Sequence, residues 1–419
     1  MNRFSPPAIA ATMRAFALIL FTRPGLLLIM TWNFPLRILL FSLTFIVSAS
    51  HAAPMIIPSP PQISAKAYLL MDAATGDILI EENADQQLPP ASLTKMLTSY
   101  IVSEEISRGK LQETDTVLVS EDAWRRGGTT SGGSTMFLKV GSRVPVLDLL
   151  KGVIIQSGND ASIALAEHLA GSERAFADVM NQYAQLLGMR SSHFVNATGW
   201  PAEGHTTTAR DLAILARAVI NDHPDHYPLY AEKYFSYNGI NQPNRNLLLH
   251  RDPTVDGLKT GHTEEAGYCL VASAKRQDMR LISVVMGTRS EAVRAEESAK
   301  LLAYGFRFFQ THSLYKKDQE LSRARVWKGA ANEVSLGVDK DVAITIPRGS
   351  SEALKAEIVV DSTIVAPLTV GQALGELRVS LEEKVIYKSP LVVLTAVEEA
   401  GFFARLWDSL VLFVTGIFA

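Results

Sequence analysis

The segment "PPASLTKML" sets a serine, Ser92, three residues ahead of a lysine, Lys95. A serine hydroxyl becomes a nucleophile when a neighbouring base takes its proton, and a neutral lysine amine can be that base. Residues three apart on a helix share a face, so a helix starting near Ser92 would aim both side chains into one cleft. The lysine must then lose much of its basicity, from an unperturbed value of about 10.4, through burial and a neighbouring cation. The spacing alone decides nothing, because Ser107 with Lys110 and Ser313 with Lys316 repeat it.

Context separates the first pair from the other two. In "LKTGHT", Lys259, Thr260 and Gly261 fall on a strand, where alternate side chains point one way and a glycine lets a substrate backbone come close. A positive side chain, a hydroxyl and an exposed strand edge suit a peptide ending in a carboxylate. Lys259 is also the candidate cation beside Lys95. The turn "QSGND" supplies Ser157, able to relay a proton to a leaving amine, and Asn159, able to bind a substrate amide. If the helix start meets the strand, the backbone N–H groups of Ser92 and His262 form an oxyanion pair.

These residues need elements to hold them. "AKAYLLMDAATGDILIEENAD" reads as two strands around a Thr75-Gly76 turn. Pro89 and Pro90 fix the approach to a helix from about Ser92 to Arg108, closed by Gly109. "VPVLDLLKGVIIQ" predicts a buried helix beginning at Pro145, and "DASIALAEHLAG" another ending at Gly171, with "SGN" as the turn between them. Thr208 and Asp211 have capping-box spacing, which makes Asp211 a helix cap rather than a catalytic acid. From Thr254 to Gly287 the pattern is three antiparallel strands, followed by a helix over Glu296 to His312 that closes the first domain. Beyond Lys316, short strands such as "DVAITIPR" and "VIYKSPLVVLTAV" predict a small β-sandwich of roughly 80 residues.

Composition narrows the function classes. At 419 residues with 47% hydrophobic and 20% charged side chains, the chain suits two folded domains. A net charge of −3 without a dense Lys/Arg run gives no field for nucleic acid. His168, His193 and His205 lack metal-ligand spacing, and the glycines of "RRGGTTSGGST" lack the lysine of a phosphate loop, so neither metal nor cofactor is expected; that stretch reads as a flexible loop beside the cleft. The lone cysteine, Cys269, sits in the strand-like "GYCLVASA" as a small packed hydrophobe.

The ends point outside the cytoplasm. Arg37, the apolar "ILLFSLTFIV" and the small residues of "SASHAA" have the layout of a secretory signal cleaved after Ala52 or Ala53, with Met30 as a plausible start. A start at Met1 would let "AFALILF" lengthen the anchor. The proline-rich stretch from Pro54 to Ser64 is expected to be an extended leader, with order beginning after it. At the other end Phe402, Phe403, Leu406, Leu410, Val414 and Ile417 recur at helical spacing, with Arg405, Asp408, Ser409 and Thr415 mostly between them. Such a helix would lie in a membrane interface, the alternative being packing on its own domain; its short apolar run and Asp408 argue against a full span.

The ordered trio Ser92-x-x-Lys95, Ser157-Gly158-Asn159 and Lys259-Thr260-Gly261 resembles the three motifs of the serine penicillin-recognising enzymes. With "PASLTKMLTSYIV", "GGSTMFLKVG", "IQSGNDA", "VDGLKTGHTEEAGYCLVASA" and "GFRFF", the chain from about Lys66 onward is similar to the low-molecular-mass D-alanyl-D-alanine carboxypeptidases of the penicillin-binding protein 5 and 6 type. Gly158 stands where the general motif has Asp, as in the carboxypeptidase group and unlike class A β-lactamases. The resemblance implies an α+β fold: a β-lactamase/transpeptidase-like domain (65–314) after a signal (1–53) and leader (54–64), then a β-sandwich (315–397) and a C-terminal amphipathic helix (398–419) on the outer surface of the inner membrane. It implies that Ser92 attacks the carbonyl between two terminal D-alanines of a peptidoglycan stem peptide, with Lys95 as base. Ser157 would assist, while Asn159, Lys259, Thr260, Gly261, His262 and Arg294 bind substrate. β-Lactams would acylate the same serine. A D,D-endopeptidase cutting cross-links, or a cell-wall-binding or morphogenetic protein without activity, are the alternatives.

Overall fold

A computed structural model describes residues 57–417. The expected signal over 1–53 and the alternative start at Met30 lie outside the described residues. The proline-rich leader, from residue 57, has no regular secondary structure but is docked: Ile57 and Ile63 pack against a hydrophobic cluster, and Tyr304 donates its hydroxyl to Pro58 O at 2.8 Å. Order therefore begins inside it rather than after it.

The expected hairpin is β1 (Ala67–Asp72) and β2 (Ile78–Glu82), with Gly76 turning the chain at φ +80°. Pro90 leads into a 3-10 turn, Ala91–Thr94, continued by α1 (Lys95–Ser107). There follow β3 (Thr116–Leu118), α2 (Glu121–Gly127), β4 (Arg143–Pro145) and α3 (Val146–Lys151). The helix expected from Pro145 to Gln156 is thus shorter: Pro145 ends a strand, and Gly152–Gln156 relax into a π turn. That wide turn ends with Ser157 at φ +60°. Next come α4 (Asn159–Ala170), ended by Gly171 as expected, α5 (Glu173–Leu187) and α6 (Ala209–Asp222). Thr208 caps α6 by accepting from Asp211 N, but the buried Asp211 carboxylate does not close the capping box; it accepts from Ser191 N and Ser192 Oγ. A small hairpin, β5 (Tyr234–Tyr237) and β6 (Ile240–Pro243), and α7 (Leu248–Arg251) lead to the three long strands β7 (Val255–Thr263), β8 (Gly267–Arg276) and β9 (Met279–Thr288).

The strands form one five-stranded sheet in the order β2-β1-β9-β8-β7, antiparallel throughout. Alternate residues serve opposite faces. Leu69, Met71, Cys269, Val271, Ile282 and Val284 join the core built on α1, α4, α5 and α6. Leu70, Leu270, Ala272, Leu281 and Val285 pack with Leu301, Leu302 and Phe306 of α8 (Glu291–Phe308). With both faces covered, the strands read as nearly continuous apolar runs. Cys269 is fully buried, and burial pushes its thiol up to about 11. β7 is left as an edge.

The helix expected over Glu296 to His312 begins and ends earlier, because Ser290 caps Val293 N and residues from Phe309 are drawn into a ladder. β10 (Phe309–Tyr315) pairs with a strand thirty residues on, within a run comprising β11 (Glu320–Trp327), β12 (Glu333–Gly337), β13 (Val342–Pro347), β14 (Leu354–Val360), β15 (Ile364–Val365), β16 (Ala373–Leu381) and β17 (Lys384–Val393). β10 joins β13, and the others form a six-stranded sheet, β14-β16-β17-β12-β11-β15, so the C-terminal part is the expected all-β domain. The last helix, α9 (Phe402–Ile417), leaves Phe402, Phe403, Leu406, Trp407, Leu410 and Phe413 exposed, Phe403 by 84%. Its Asp408 accepts from Lys328 N at 2.5 Å, tying the polar side to the β domain.

Asp72 at the end of β1 joins the two parts. Its carboxylate accepts from Ala74 N at 2.8 Å and from Thr311 Oγ1 of β10, while Thr75 Oγ1 meets Thr345 Oγ1 of β13 at 2.9 Å. Replacing Asp72 with Ala removes a charged acceptor with no solvent to substitute for it. We expect a loss of about 2–3 kcal/mol, read from the denaturant midpoint, and calorimetric unfolding of the β domain apart from the rest.

Candidate active site

Ser92 lies in the 3-10 turn and Lys95 is the first residue of α1, so the short spacing aims both inward. Lys95 Nζ is 3.2 Å from Ser92 Oγ, 2.7 Å from Asn159 Oδ1 and 2.5 Å from Thr198 O. The lysine is wholly buried, and its amine is brought down to about 7, first by loss of solvation and then by the Arg245 guanidinium. A neutral amine has two N–H bonds and one lone pair. Asn159 Oδ1 and Thr198 O accept the two N–H bonds, which leaves the lone pair for the Ser92 hydroxyl. This arrangement can draw a proton from serine near neutral pH.

The cation acting on Lys95 is not the one expected from the sequence. Lys259 is itself buried and its ammonium is driven well below its ordinary value, first by desolvation and then by Lys95, Arg245 and Arg294. It donates to Ser157 Oγ at 2.9 Å. Arg245, unremarked in "NQPNRN", bonds Ser134 Oγ and adds positive charge to the cleft.

The edge strand β7 forms the facing wall. A Cβ on Gly261 would sit 3.1 Å from Pro90 O and 3.3 Å from Ala91 Cβ, so the glycine lets the strand lean on the nucleophile's turn. That approach brings Ser92 and His262 into one cleft of about 950 Å³, lined also by Ser157, Asn159, Thr260 and Arg245. His262 stacks on Tyr268 with ring centroids 3.9 Å apart. Arg294, carried over by resemblance alone, sits on α8 with Nη1 3.1 Å from Gly261 O and lines the cleft. All nine sequence-derived site residues are therefore gathered in or beneath this cleft.

Several residues that position the site carried no sequence signal of their own. Asp160, next to Asn159, is buried and accepts from Thr135 Oγ1 (2.8 Å), Met136 N (2.8 Å) and Leu138 N (3.0 Å), fastening the loop beside the cleft. Asn196 Oδ1 gathers Thr198 N, Gly199 N and Trp200 N at 3.1, 2.8 and 3.2 Å. This holds the carbonyl that receives Lys95. His205 meets Thr94 Oγ1 at 3.0 Å beneath the turn, its imidazole pushed down to about 4 by burial and then by His193 and Lys95. The repeated spacings elsewhere build nothing comparable: Ser107 donates to Glu104 O, Lys110 pairs with Glu105, and Lys316 pairs with Asp341.

A serine hydroxyl facing a desolvated amine, beside a cationic strand edge, is the equipment of an acyl-transferring serine hydrolase. Comparison with known proteins agrees. The model of the D-alanyl-D-alanine carboxypeptidase family matches residues 55–290, and that of the penicillin-binding protein 5 C-terminal domain matches residues 309–399. The chain is 47% identical over 372 residues to D-alanyl-D-alanine carboxypeptidase DacA of Escherichia coli K12, covering 87% of this chain and 92% of that protein. It is 49% identical over 351 residues to DacC of the same strain, covering 83% and 88%. Penicillin binding protein 5 from Haemophilus influenzae superposes with a TM-score of 0.78 at 44% identity, covering 82% of this chain and 100% of that one. The chain belongs to the D-alanyl-D-alanine carboxypeptidase family.

Two outcomes follow from the geometry. Gly199 has φ +82°, and a Cβ there would lie 1.7 Å from Ala91 O. Gly199→Ala should therefore displace the Ser92 turn and slow labelling by fluorescent penicillin by about a hundredfold or more, a scale set by small misplacements of reacting groups. Lys95 separately makes stability depend on pH. Its amine titrates at about 7 when folded against the ordinary lysine value of 10.5 when unfolded, so between those values the unfolded chain binds more protons and stability rises with pH. Urea midpoints should climb from pH 7 to 10 more steeply for the parent than for Lys95→Met.

Proposed function

We infer that this chain is a serine-type D-Ala-D-Ala carboxypeptidase of the cell wall in which Ser92 is the nucleophile and Lys95 its base. The observation that carries this reading is the coordination of Lys95: two acceptors for two N–H bonds, and Ser92 Oγ at 3.2 Å for the lone pair. In the forward step Ser92 Oγ attacks the carbonyl between the two terminal D-alanines and passes its proton to Lys95 Nζ. The backbone N–H groups of Ser92 and His262 take the developing oxyanion. As the C–N bond breaks, the proton held on Lys95 passes by way of Ser157, hydrogen-bonded to Lys259, to the leaving amine, which leaves Lys95 neutral again, and D-alanine departs. Water then attacks the Ser92 ester, Lys95 taking its proton and returning it to Ser92 Oγ, to give the shortened stem peptide.

Substrate is held by complementary groups. Asn159 takes the amide of the residue before the scissile bond, Thr260, with the cations of Lys259 and Arg245, takes the terminal carboxylate, and the β7 edge takes the peptide backbone. Arg294 acts through β7, since its guanidinium holds Gly261 O. A β-lactam presents an activated acyl group and a carboxylate to the same partners, and acylates Ser92.

Export to the outer face of the inner membrane agrees with the signal layout and with α9. No helix among the described residues is long and apolar enough to cross a membrane. The exposed aromatic face of α9, with Asp408 turned to Lys328 N, supports a helix lying in the interface and anchoring the enzyme peripherally. On this reading the chain divides into a leader, the catalytic domain 65–314, the sandwich 315–397 and the anchor 398–419.

The central test is D-alanine release from a peptide ending in Lys-D-Ala-D-Ala. Ser92→Ala should lower release by at least about a thousandfold, as loss of a nucleophile does. The parent rate should rise by about tenfold per pH unit below the Lys95 value and level above it, with Arg245→Gln moving the break upward by removing a cation. Equal release by parent and variant would remove Ser92 from the mechanism. Truncation after residue 397 should shift the protein from the membrane fraction to the supernatant while keeping penicillin labelling.

A further inference from the structure

A groove of about 480 Å³ opens where the catalytic part meets the β domain, and three guanidinium groups line it. Arg276 ends β8, Arg307 lies in the last turn of α8, and Arg348 follows β13. This groove is separate from the cleft, with which it shares no lining residue. Along β8, Arg276 stands five residues beyond Val271, the ladder partner of Lys259, which is roughly 17 Å of strand. The volume falls within the ordinary range of small-molecule sites, about 300–1,000 Å³.

The fold fixes these cations without neutralising them all. Arg276 lies 4.5 Å above the centroid of the Phe306 ring and donates through Nη2 to Asp252 Oδ2 at 3.0 Å, so it alone of the three has a carboxylate partner among the described residues. Arg348 donates its backbone N–H to Phe308 O at 2.8 Å, and its Nη2 to Phe306 O at 2.8 Å and Phe309 O at 3.1 Å, closing the end of α8. Carbonyl oxygens accept such bonds and leave the ionic charge in place. Arg307 is exposed, lies 5.4 Å from the centroid of the Phe308 ring, and pairs with no acid among the described residues. Asp278, on the exposed turn between β8 and β9, is the single carboxylate in the lining and pairs with no cation among the described residues. His312 of β10 completes the wall, its Nε2 buried and without a hydrogen-bond partner. Fixed guanidinium groups that outnumber the acids around a cavity favour an anion inside it.

We propose that this groove binds a phosphate-bearing anion, which ties the β domain to the catalytic part. A carboxylate presents two oxygens in one plane to a single guanidinium fork, whereas a phosphate presents oxygens around a tetrahedron and can meet forks that arrive from three elements. Arg276 and Arg307 belong to the catalytic part and Arg348 to the β domain, so one anion draws on both sides of the join. An anion that binds only the folded chain raises its stability. A soluble phosphate ester and a phospholipid headgroup offer the same oxygens to these groups.

The test uses the full chain, titrated calorimetrically with glycerol phosphate at constant ionic strength, with sodium chloride as the reference salt. Glycerol phosphate should bind saturably and raise the thermal midpoint. Arg307→Gln should weaken that binding about tenfold, the scale of a hydrogen bond to a charged group, while fluorescent penicillin still labels the variant at the parent rate. Asp278→Asn should tighten binding about twofold to fivefold by removing the opposing charge, a gain that misfolding cannot produce. Arg245→Gln, which changes the cleft, should leave the affinity for glycerol phosphate as it is. Affinity for phosphatidylglycerol vesicles separates the two sources of phosphate. A lower vesicle affinity in Arg307→Gln assigns the groove to a headgroup, and an unchanged one, with glycerol phosphate binding lost, assigns it to a soluble ester. Absence of saturable glycerol phosphate binding together with an unchanged vesicle affinity would overturn the proposal, as would binding that Arg245→Gln weakens and Arg307→Gln does not.

Discussion

A fully buried primary amine, its two N–H bonds given to Asn159 Oδ1 and Thr198 O and its lone pair turned to Ser92 Oγ, is the constraint on which the rest of this structure depends. Water would restore the ordinary basicity of Lys95 and a third strong acceptor would restore its charge. Burial beneath the 3-10 turn excludes the first, and the pairing with Asn159 Oδ1 and Thr198 O uses up the N–H bonds of the neutral form. Each partner is fixed in turn. Asn159 opens α4 after the π turn, and Thr198 is gathered by the buried Asn196. The helical core supplies the scaffold for both.

The sheet supplies the other half. Because α8 covers one face and the helical core the other, a peptide can meet the sheet only at an edge strand, and Gly261 allows the β7 edge to approach the turn carrying Ser92. Among the described residues the cleft is lined by none from the β domain, which is joined through Asp72 and Thr75 and carries α9 with its exposed aromatic face.

The sequence made the reacting groups legible because each belongs to a short local motif: a serine and lysine within one helical turn, a Ser-Gly-Asn turn, and a Lys-Thr-Gly strand. The sheet was legible for a similar reason, since its strands are apolar runs between turn formers. Arg245 and Asn196 were hidden because their roles come from contacts across the fold, with partners far away in sequence. The same holds for Gly199, whose need for a missing side chain arises from Ala91 O. Local pattern also misplaced boundaries where long-range pairing wins: Phe309 continues an apolar helical period but leaves the helix to pair with Pro347. Pro145 looked like a helix start, yet it pairs with Thr116 at the end of β4.

The most direct measurement is the charge of Lys95 itself. In protein labelled with ¹⁵N at lysine Nζ, a resonance that vanishes in Lys95→Arg should titrate near pH 7, far below the exposed lysines. A spectrum in which that resonance is present but Lys95 keeps its proton to above pH 9 would contradict a neutral amine poised to take the Ser92 proton.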